Sequence, residues 1–449
     1  MGTDTVQAQG YGEAAGRRRE QRGWYFYDWA CSVYSTSVLT VFLGPYLTSV
    51  AESAADAEGY VHPLGVPVRA GSFFAYSVSL SVVLAVVVMP LVGSAADRTG
   101  RKKPLLGTAA YVGATATTGM FFLDGDRYLL GGALLIVANA AQSVATMLYN
   151  SYLPQIAPPG ERDAVSSRGW AFGYAAGSLV LIGNLVLYSA HDSFGLSETA
   201  AVRVCLASAG LWWGAFTLVP LRRLRDRGAG AVRGAAAPGL RQLAATVRDM
   251  RRHPLTLAFL LAYLVYNDGI QTVISQASVY GSEELGLGQS TLIGAVLLVQ
   301  VLAVAGALAM GRLARTYGAK RTILGSLVAW TLTLGAGYFL PAGAPVGFFA
   351  LAAGIGLVLG GSQALSRSLF SHLVPPGKEA EYFSAYEMSD RGMSWLGPLL
   401  FGVTYQLTGS YRSAIVSLVA FFVIGFALLA RVPVRRAIGE AGNPVPQKI

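Results

Sequence analysis

Twelve stretches of mostly apolar residues, each long enough to cross a bilayer, run along this chain and restrict its fold more than any other feature. A helix rises ~1.5 Å per residue, so about twenty such residues traverse the ~30 Å hydrocarbon core. The stretches are read at 24-49, 70-96, 104-123, 128-150, 169-190, 199-221, 255-281, 290-314, 322-341, 345-368, 388-409 and 411-432. Composition agrees: 53% of the 449 residues are hydrophobic and 13% are charged, where soluble chains carry roughly 25% charged residues. This excludes disorder, a coiled coil and an ordinary cytosolic enzyme. Arg17, Arg18, Arg19 and Arg22 precede the first stretch, which is too long for a signal-peptide core and lacks a small-residue cleavage site. Residues 1-23 therefore read as a cytoplasmic tail.

The formal charge of +10 would point to nucleic acid in a soluble protein. Lys and Arg instead collect in the cytoplasmic loops of membrane proteins, which makes charge an independent check on the span count. With twelve spans starting inside, 30 of the 34 Lys and Arg fall on inner segments. Arg69, Arg127 and Arg412 lie outside, and Arg203 sits one turn into span 6, from which its long side chain would snorkel outward. The acids divide as 13 inside, 9 outside and two, Asp28 and Asp268, within spans. The surplus is a topology signal, with no nucleic-acid partner expected. It places both termini in the cytoplasm of a multi-pass protein of the cell (inner) membrane. Cys31 and Cys205 lie in apolar stretches and read as small core residues.

The loops repeat. Gly93-x3-Asp97-Arg98-x-Gly100-Arg101-Lys102-Lys103 is echoed by Gly311-x3-Arg315-x2-Gly318-x-Lys320-Arg321, and Pro158-Pro159-Gly160-Glu161 by Pro375-Pro376-Gly377-Lys378. Arg168-Gly169 likewise matches Arg391-Gly392. Matching punctuation in the same order implies an all-α membrane protein of two parallel six-helix bundles related by pseudo-two-fold symmetry, as in transporters that rock two halves about a central site. The expected organisation is a tail (1-23), an N-terminal bundle (24-221), a basic cytoplasmic central loop (222-254) with nine arginines, a C-terminal bundle (255-432) and a C-terminal tail (433-449).

The segment from Gly93 to Lys103 resembles the signature loop of the major facilitator superfamily. Tyr27-Asp28-Trp29-Ala30-Cys31-Ser32-Val33-Tyr34, Asn150-Ser151-Tyr152-Leu153-Pro154, Gly169-Trp170-Ala171-Phe172-Gly173-Tyr174, Tyr266-Asn267-Asp268-Gly269-Ile270-Gln271-Thr272 and Gln363-Ala364-Leu365-Ser366-Arg367-Ser368 are similar to its vacuolar-effluxer-like branch. The likeness runs from span 1 to span 11 and implies a multi-pass carrier; from the fungal vacuolar members it implies amino-acid efflux. Cys31 departs from the small polar residue expected there, and Arg315 stands where the first loop has Asp97.

An ionisable group at mid-membrane is costly and needs a partner or a wet cavity, so depth ranks the candidates. Asp268, 13 residues into span 7, is the deepest charge. With Asn267 and Gln271 it is the expected ammonium or proton site, facing a cavity between the halves; the competing reading is a structural Asp bonded to a neighbouring helix. Asp28, followed by Tyr34, is a second candidate, although a carboxylate early in a helix also suits the helix dipole. Gly93, Asp97, Arg98, Gly100 and Arg101 read as a cytoplasmic gate, with Asp97 facing the start of span 11. Arg367, Glu387 and Arg391 join them, Glu387 and Arg391 being an i,i+4 pair. Gly173-x3-Gly177 and Gly397-Pro398-x3-Gly402 permit close helix packing.

All four histidines, His62, His191, His253 and His372, read as loop residues, and no phosphate-binding Gly-x4-Gly-Lys-Ser/Thr motif occurs. No metal, cofactor or ATP chemistry is expected, and no enzyme activity. The reading is a transporter, working as a monomer by alternating access, that exports a small polar solute such as an amino acid with protons as coupling ion. Two alternatives are efflux of larger amphipathic compounds and a membrane scaffold or receptor acting through its basic central loop.

Overall fold

The computed structural model describes residues 2–227, 248–391 and 396–449, with the side chains of residues 2–13, Gln289 and Arg391 left out of the description. Most of the nine-arginine loop, the Gly392 of the duplicated Arg-Gly pair and the Arg391 side chain thus lie outside what is described.

Among the described residues, nine helices are long and apolar enough to cross a membrane: Ala14–Ser53, Ala70–Thr99, Tyr128–Ile156, Arg162–Ser189, Glu198–Arg223, Pro254–Glu284, Ser290–Tyr317, Pro345–His372 and Tyr411–Arg431. The stretches at 104-123 and 322-341 coincide with shorter helices, Lys102–Gly119 and Ala319–Tyr338. That at 388-409 falls on Glu379–Arg391 and Leu396–Thr408, with residues 392–395 outside the description. Several helices overrun their apolar stretch: one begins at Arg162 rather than 169 and another at Glu379 rather than 388. Hydropathy marks the length that lipid would cover, whereas backbone hydrogen bonding carries the helix on into charged sequence.

One short segment among the described residues forms a β-ribbon. Tyr60–Val61 and Val68–Arg69 pair antiparallel, Tyr60 opposite Arg69 and Val61 opposite Val68. Gly59 and Gly65, both at positive φ, shape the turns around this ribbon.

The chain forms two compact units, Met1–Tyr149 with Ala175–Ala229, and Asn150–Tyr174 with Gly230–Ile449. In the first, Trp24 stacks on Tyr149 at 4.3 Å and donates its indole N–H to the Tyr149 carbonyl at 2.9 Å. Residues Tyr34–Phe42 widen into a π-helical stretch, a local irregularity that often accompanies function. Gly177 packs on Thr36 of this stretch. Arg203 does not snorkel alone but pairs with Asp124 at 3.1 Å.

In the second unit the helices Gln289–Tyr317 and Pro345–His372 meet along a seam of small residues. A Cβ on Gly306 would collide with the Leu357 carbonyl, one on Gly360 with the Ala303 carbonyl, and one on Gly361 with Met310 Sδ. Such seams substitute close van der Waals contact for a hydrophobic drive that lipid cannot supply. The Gly397 motif is also tight, its Cβ position lying against Thr272 and 3.2 Å from the Asp268 carbonyl, while Gly402 has open space. Gly306→Val drives two methyls into backbone that cannot rotate aside, and is expected to destabilise by about 1–3 kcal/mol. The measurement is the thermal midpoint of purified protein. Gly402→Val should leave it unchanged.

Candidate functional site

The first unit holds the signature loop. The helix Phe73–Thr99 ends where Gly100 adopts φ 65° and donates its N–H to the Ala96 carbonyl at 3.0 Å, a left-handed cap that only glycine takes without strain. Asp97 is buried and pairs with Lys102 at 3.1 Å, on side chains 4% and 5% exposed. Arg98 donates Nε–H to the Ser94 carbonyl at 3.2 Å. Gly93 is buried, and Arg101 is exposed. The ion pair with Lys102 lies within the signature loop itself. Asp28 is buried and accepts the Tyr149 hydroxyl at 2.6 Å. Tyr34 is buried with its ring 5.6 Å from that of Trp213.

The second unit holds Asp268. It lies mid-helix in Pro254–Val279, 2% exposed, and among the described residues neither carboxylate oxygen has a hydrogen-bond partner. The Gly397 backbone N–H faces this carboxylate. Burying a carboxylate without a donor costs several kcal/mol. Its neighbours are differently placed. Asn267 donates Nδ2–H to Asp390 Oδ1 at 2.6 Å, and Tyr263 donates its hydroxyl to the same oxygen at 2.9 Å. The remaining Asn267 oxygen has no partner. Gln271, one turn further along, is half-buried.

Arg367 and Glu387 are brought together in a second buried cluster. Arg367, 2% exposed, donates Nε–H to Ser166 Oγ at 2.9 Å, one terminal N–H to the Ser166 carbonyl at 2.9 Å and another to Asn150 Oδ1 at 3.1 Å. The Asn150 amide in turn donates to Glu387 Oε1 at 2.6 Å. The guanidinium also lies over the Trp170 ring at 5.4 Å. Adjacent contacts extend the clasp: Ser368 donates to Asp163 at 2.6 Å, and Arg162 donates to the Ser371 carbonyl at 2.9 Å. His372, expected in a loop, is instead the buried last residue of Pro345–His372, its Nδ1 3.3 Å from Arg162. The helix runs four residues beyond the apolar stretch, which is why hydropathy misassigns it. The pairing expected between Glu387 and Arg391 lies outside the described side chains.

Sequence reasoning groups Asp390 with Glu387 and Arg391 as a candidate gate, whereas it does not single out Asn150, Ser166, Trp170 and Tyr263 as site residues. One signal was available for Asn150, which stands 217 residues before Arg367, an offset shared by the two Pro-Pro-Gly motifs. The duplication therefore relates the two partners of this hydrogen bond.

Outside the spans, Asp249 is partly buried, which pushes its carboxyl up, but hydrogen bonds from Lys378 at 2.7 Å and Tyr382 at 3.0 Å outweigh this and hold it below the usual carboxylate range. A depressed folded-state pKa stabilises above the unfolded value of about 4 and ceases to do so as pH falls through the folded one. The thermal midpoint of wild type is expected to exceed that of Asp249→Asn at pH 7, the gap closing as pH falls below about 4. A gap unchanged by acid would show that the ionised form contributes nothing.

A sequence profile described as "Vacuole effluxer Atg22 like" matches residues 16–442. The chain is 30% identical over 434 residues to the uncharacterized MFS-type transporter YxiO of Bacillus subtilis, covering 95% of this chain and 98% of that protein. It is 25% identical over 557 residues to autophagy-related protein 22-1 of Aspergillus niger, covering 94% and 90% respectively. Of solved structures, the major facilitator transporter FucP in the outward conformation aligns with TM-score 0.67 at 14% identity, over 92% of this chain and 98% of that one. A bacterial homologue of the iron transporter ferroportin, outward-facing, aligns with TM-score 0.66 at 14% identity, over 93% and 98%. At such identity the structural likeness speaks for the fold alone, that of the major facilitator superfamily.

Proposed function

The chain belongs to the vacuole effluxer Atg22-like family of major facilitator transporters, and on that premise we propose that it is a secondary transporter exporting a small polar solute bearing an ammonium group, such as an amino acid, in exchange for protons. It is a multi-pass membrane protein, and its relatives are transporters rather than enzymes. The proposal adds twelve spans in two parallel halves, both termini in the cytoplasm of the cell membrane, alternating access and a monomeric working unit. The 30-to-3 division of Lys and Arg between inner and outer segments supports the orientation.

The observation that carries the substrate reading is the carboxylate of Asp268, buried with both oxygens unpartnered among the described residues. A cation arriving from outside the fold supplies what is missing. An ammonium offers N–H donors and a positive charge, and a proton discharges the group; competition between the two for one carboxylate is the simplest chemistry of exchange. The family description adds efflux as the direction. The buried clasp of Arg367, Asn150, Ser166 and Glu387 acts in this reading as the cytoplasmic gate.

The test is flux in proteoliposomes with a panel of labelled amino acids, with and without a pH gradient. Accumulation of at least one amino acid that collapses when the gradient is dissipated is the expected result. Flux of bulky amphipathic cations, with none of amino acids, would replace this reading by the broader efflux one.

A further inference from the structure

We infer that a groove between the start of the helix Lys102–Gly119 and the end of the helix Glu198–Arg223 binds the headgroup of an anionic phospholipid. The groove is open, with a volume of about 460 Å³, and is lined by Arg101, Lys103, Pro104, Gly107, Leu221 and Asp226. It lies wholly within the first compact unit.

The basic run of the signature loop divides its labour here. Lys102 turns inward to Asp97, and Arg98 returns to its own helix at the Ser94 carbonyl. Arg101 is exposed, Lys103 half-buried, and both side chains line the groove. The carboxylate on the wall, Asp226, accepts the backbone N–H of Lys103 at 2.7 Å. It thereby ties the stretch after Arg223 to the first turn of the neighbouring helix. Two cations against one carboxylate leave the lining net positive, and exposed Arg222 and Arg225 follow on the same stretch.

The rest of the lining is apolar, which a site for a soluble anion does not need. Pro104 and Leu221 contribute apolar lining, and Gly107 lets Leu221 approach so closely that a Cβ there would lie 3.2 Å from its methyls. The seam between the two helices continues away from the cations past Tyr111, whose ring is 4.0 Å from the Cβ position of Gly214. Tyr111 and Leu218 are 37% and 43% exposed. Cations at one end and an exposed apolar seam leading from them match a phosphodiester headgroup with its acyl chains along the helices; basic pockets between membrane helices bind anionic lipid in this way. The leaflet rests on the orientation proposed above, but binding does not, so failure of the transport reading would leave this site standing.

The test titrates the purified full chain in neutral detergent with phosphatidylglycerol, phosphatidylcholine or inorganic phosphate, reading bound lipid by native mass spectrometry and thermal midpoint in parallel. Saturable binding of phosphatidylglycerol is expected, with phosphatidylcholine weaker and inorganic phosphate unable to compete at millimolar concentration. Each cation removed should weaken it roughly five-fold, and Arg101→Gln with Lys103→Gln roughly thirty-fold. Arg18→Gln with Arg19→Gln, on the exposed N-terminal helix, should leave it unchanged. Should the double groove variant fail to fold, Arg101→Gln alone, on an exposed side chain, keeps the test. Equal affinity in the groove variants, equal loss in the control, equal binding of phosphatidylcholine, or displacement by inorganic phosphate would each overturn the proposal.

Discussion

Asp268→Asn is expected to abolish proton-driven flux while making the protein more stable, two effects of opposite sign from one atom. Removing one member of a buried charge pair costs about 2–5 kcal/mol of binding, so affinity for an ammonium-bearing solute should fall by roughly thirty-fold or more. The amide cannot release a proton, so dissipating the pH gradient should no longer change residual flux. In the empty protein, however, the carboxylate has no hydrogen-bond partner among the described residues, and a neutral isostere relieves a desolvation cost larger than the Gly397 N–H contact it weakens. The thermal midpoint should rise by roughly a few degrees. Gradient-dependent flux at the wild-type level would remove Asp268 from the coupling chemistry. A fall in midpoint would mean that the carboxylate is structural, bonded to its surroundings after all.

Arg367→Leu is expected to do the reverse, loosening the fold and opening the clasp. Three hydrogen bonds from the guanidinium end on Ser166 and Asn150, and the Asn150 amide holds Glu387. Leucine leaves these acceptors buried without a donor, at a cost of about 3 kcal/mol. If the clasp is a gate, the same energy shifts the open population by roughly a hundred-fold. Cys31 and Cys205 are both buried, which gives a quiet background for a reporter thiol at Ala364, itself buried and accepting Ser166 Oγ at 2.6 Å through its carbonyl. Labelling of Ala364→Cys by a membrane-impermeant maleimide should accelerate in the Arg367→Leu background. Arg367→Lys keeps the charge but not the fork of donors, so an intermediate rate is expected. A lowered midpoint with unchanged labelling would make the cluster a structural brace rather than a gate.

Much of the fold was legible because a bilayer asks little of sequence beyond length and apolarity. The stretches at 24-49, 70-96 and 345-368 each lie inside a long helix. Their ends were not legible, as Arg162 and Glu379 illustrate: charge stops a hydropathy window but not a helix. The small-residue seam through Gly306, Gly356 and Gly360 also escaped notice, since glycine is frequent throughout this chain and only packing shows which ones another backbone touches.

The candidate site divides the same way. The sequence by itself determined that a carboxylate would sit deep in span 7, because a charge amid apolar residues is conspicuous wherever it points. It also determined the family, through the loop from Gly93 to Lys103 and the motifs around Asp28 and Asp268. Only the tertiary structure decided which buried groups are already satisfied. Asn267 and Asp390 hold one another, Arg367 is taken up by Ser166 and Asn150, and Asp268 has no hydrogen-bond partner among the described residues. The physical reason is range. Hydropathy and charge are properties of single residues and their near neighbours in the chain, whereas a hydrogen bond between Asn150 and Arg367 depends on two helix ends meeting within 3.1 Å, and nothing local to either residue encodes that meeting.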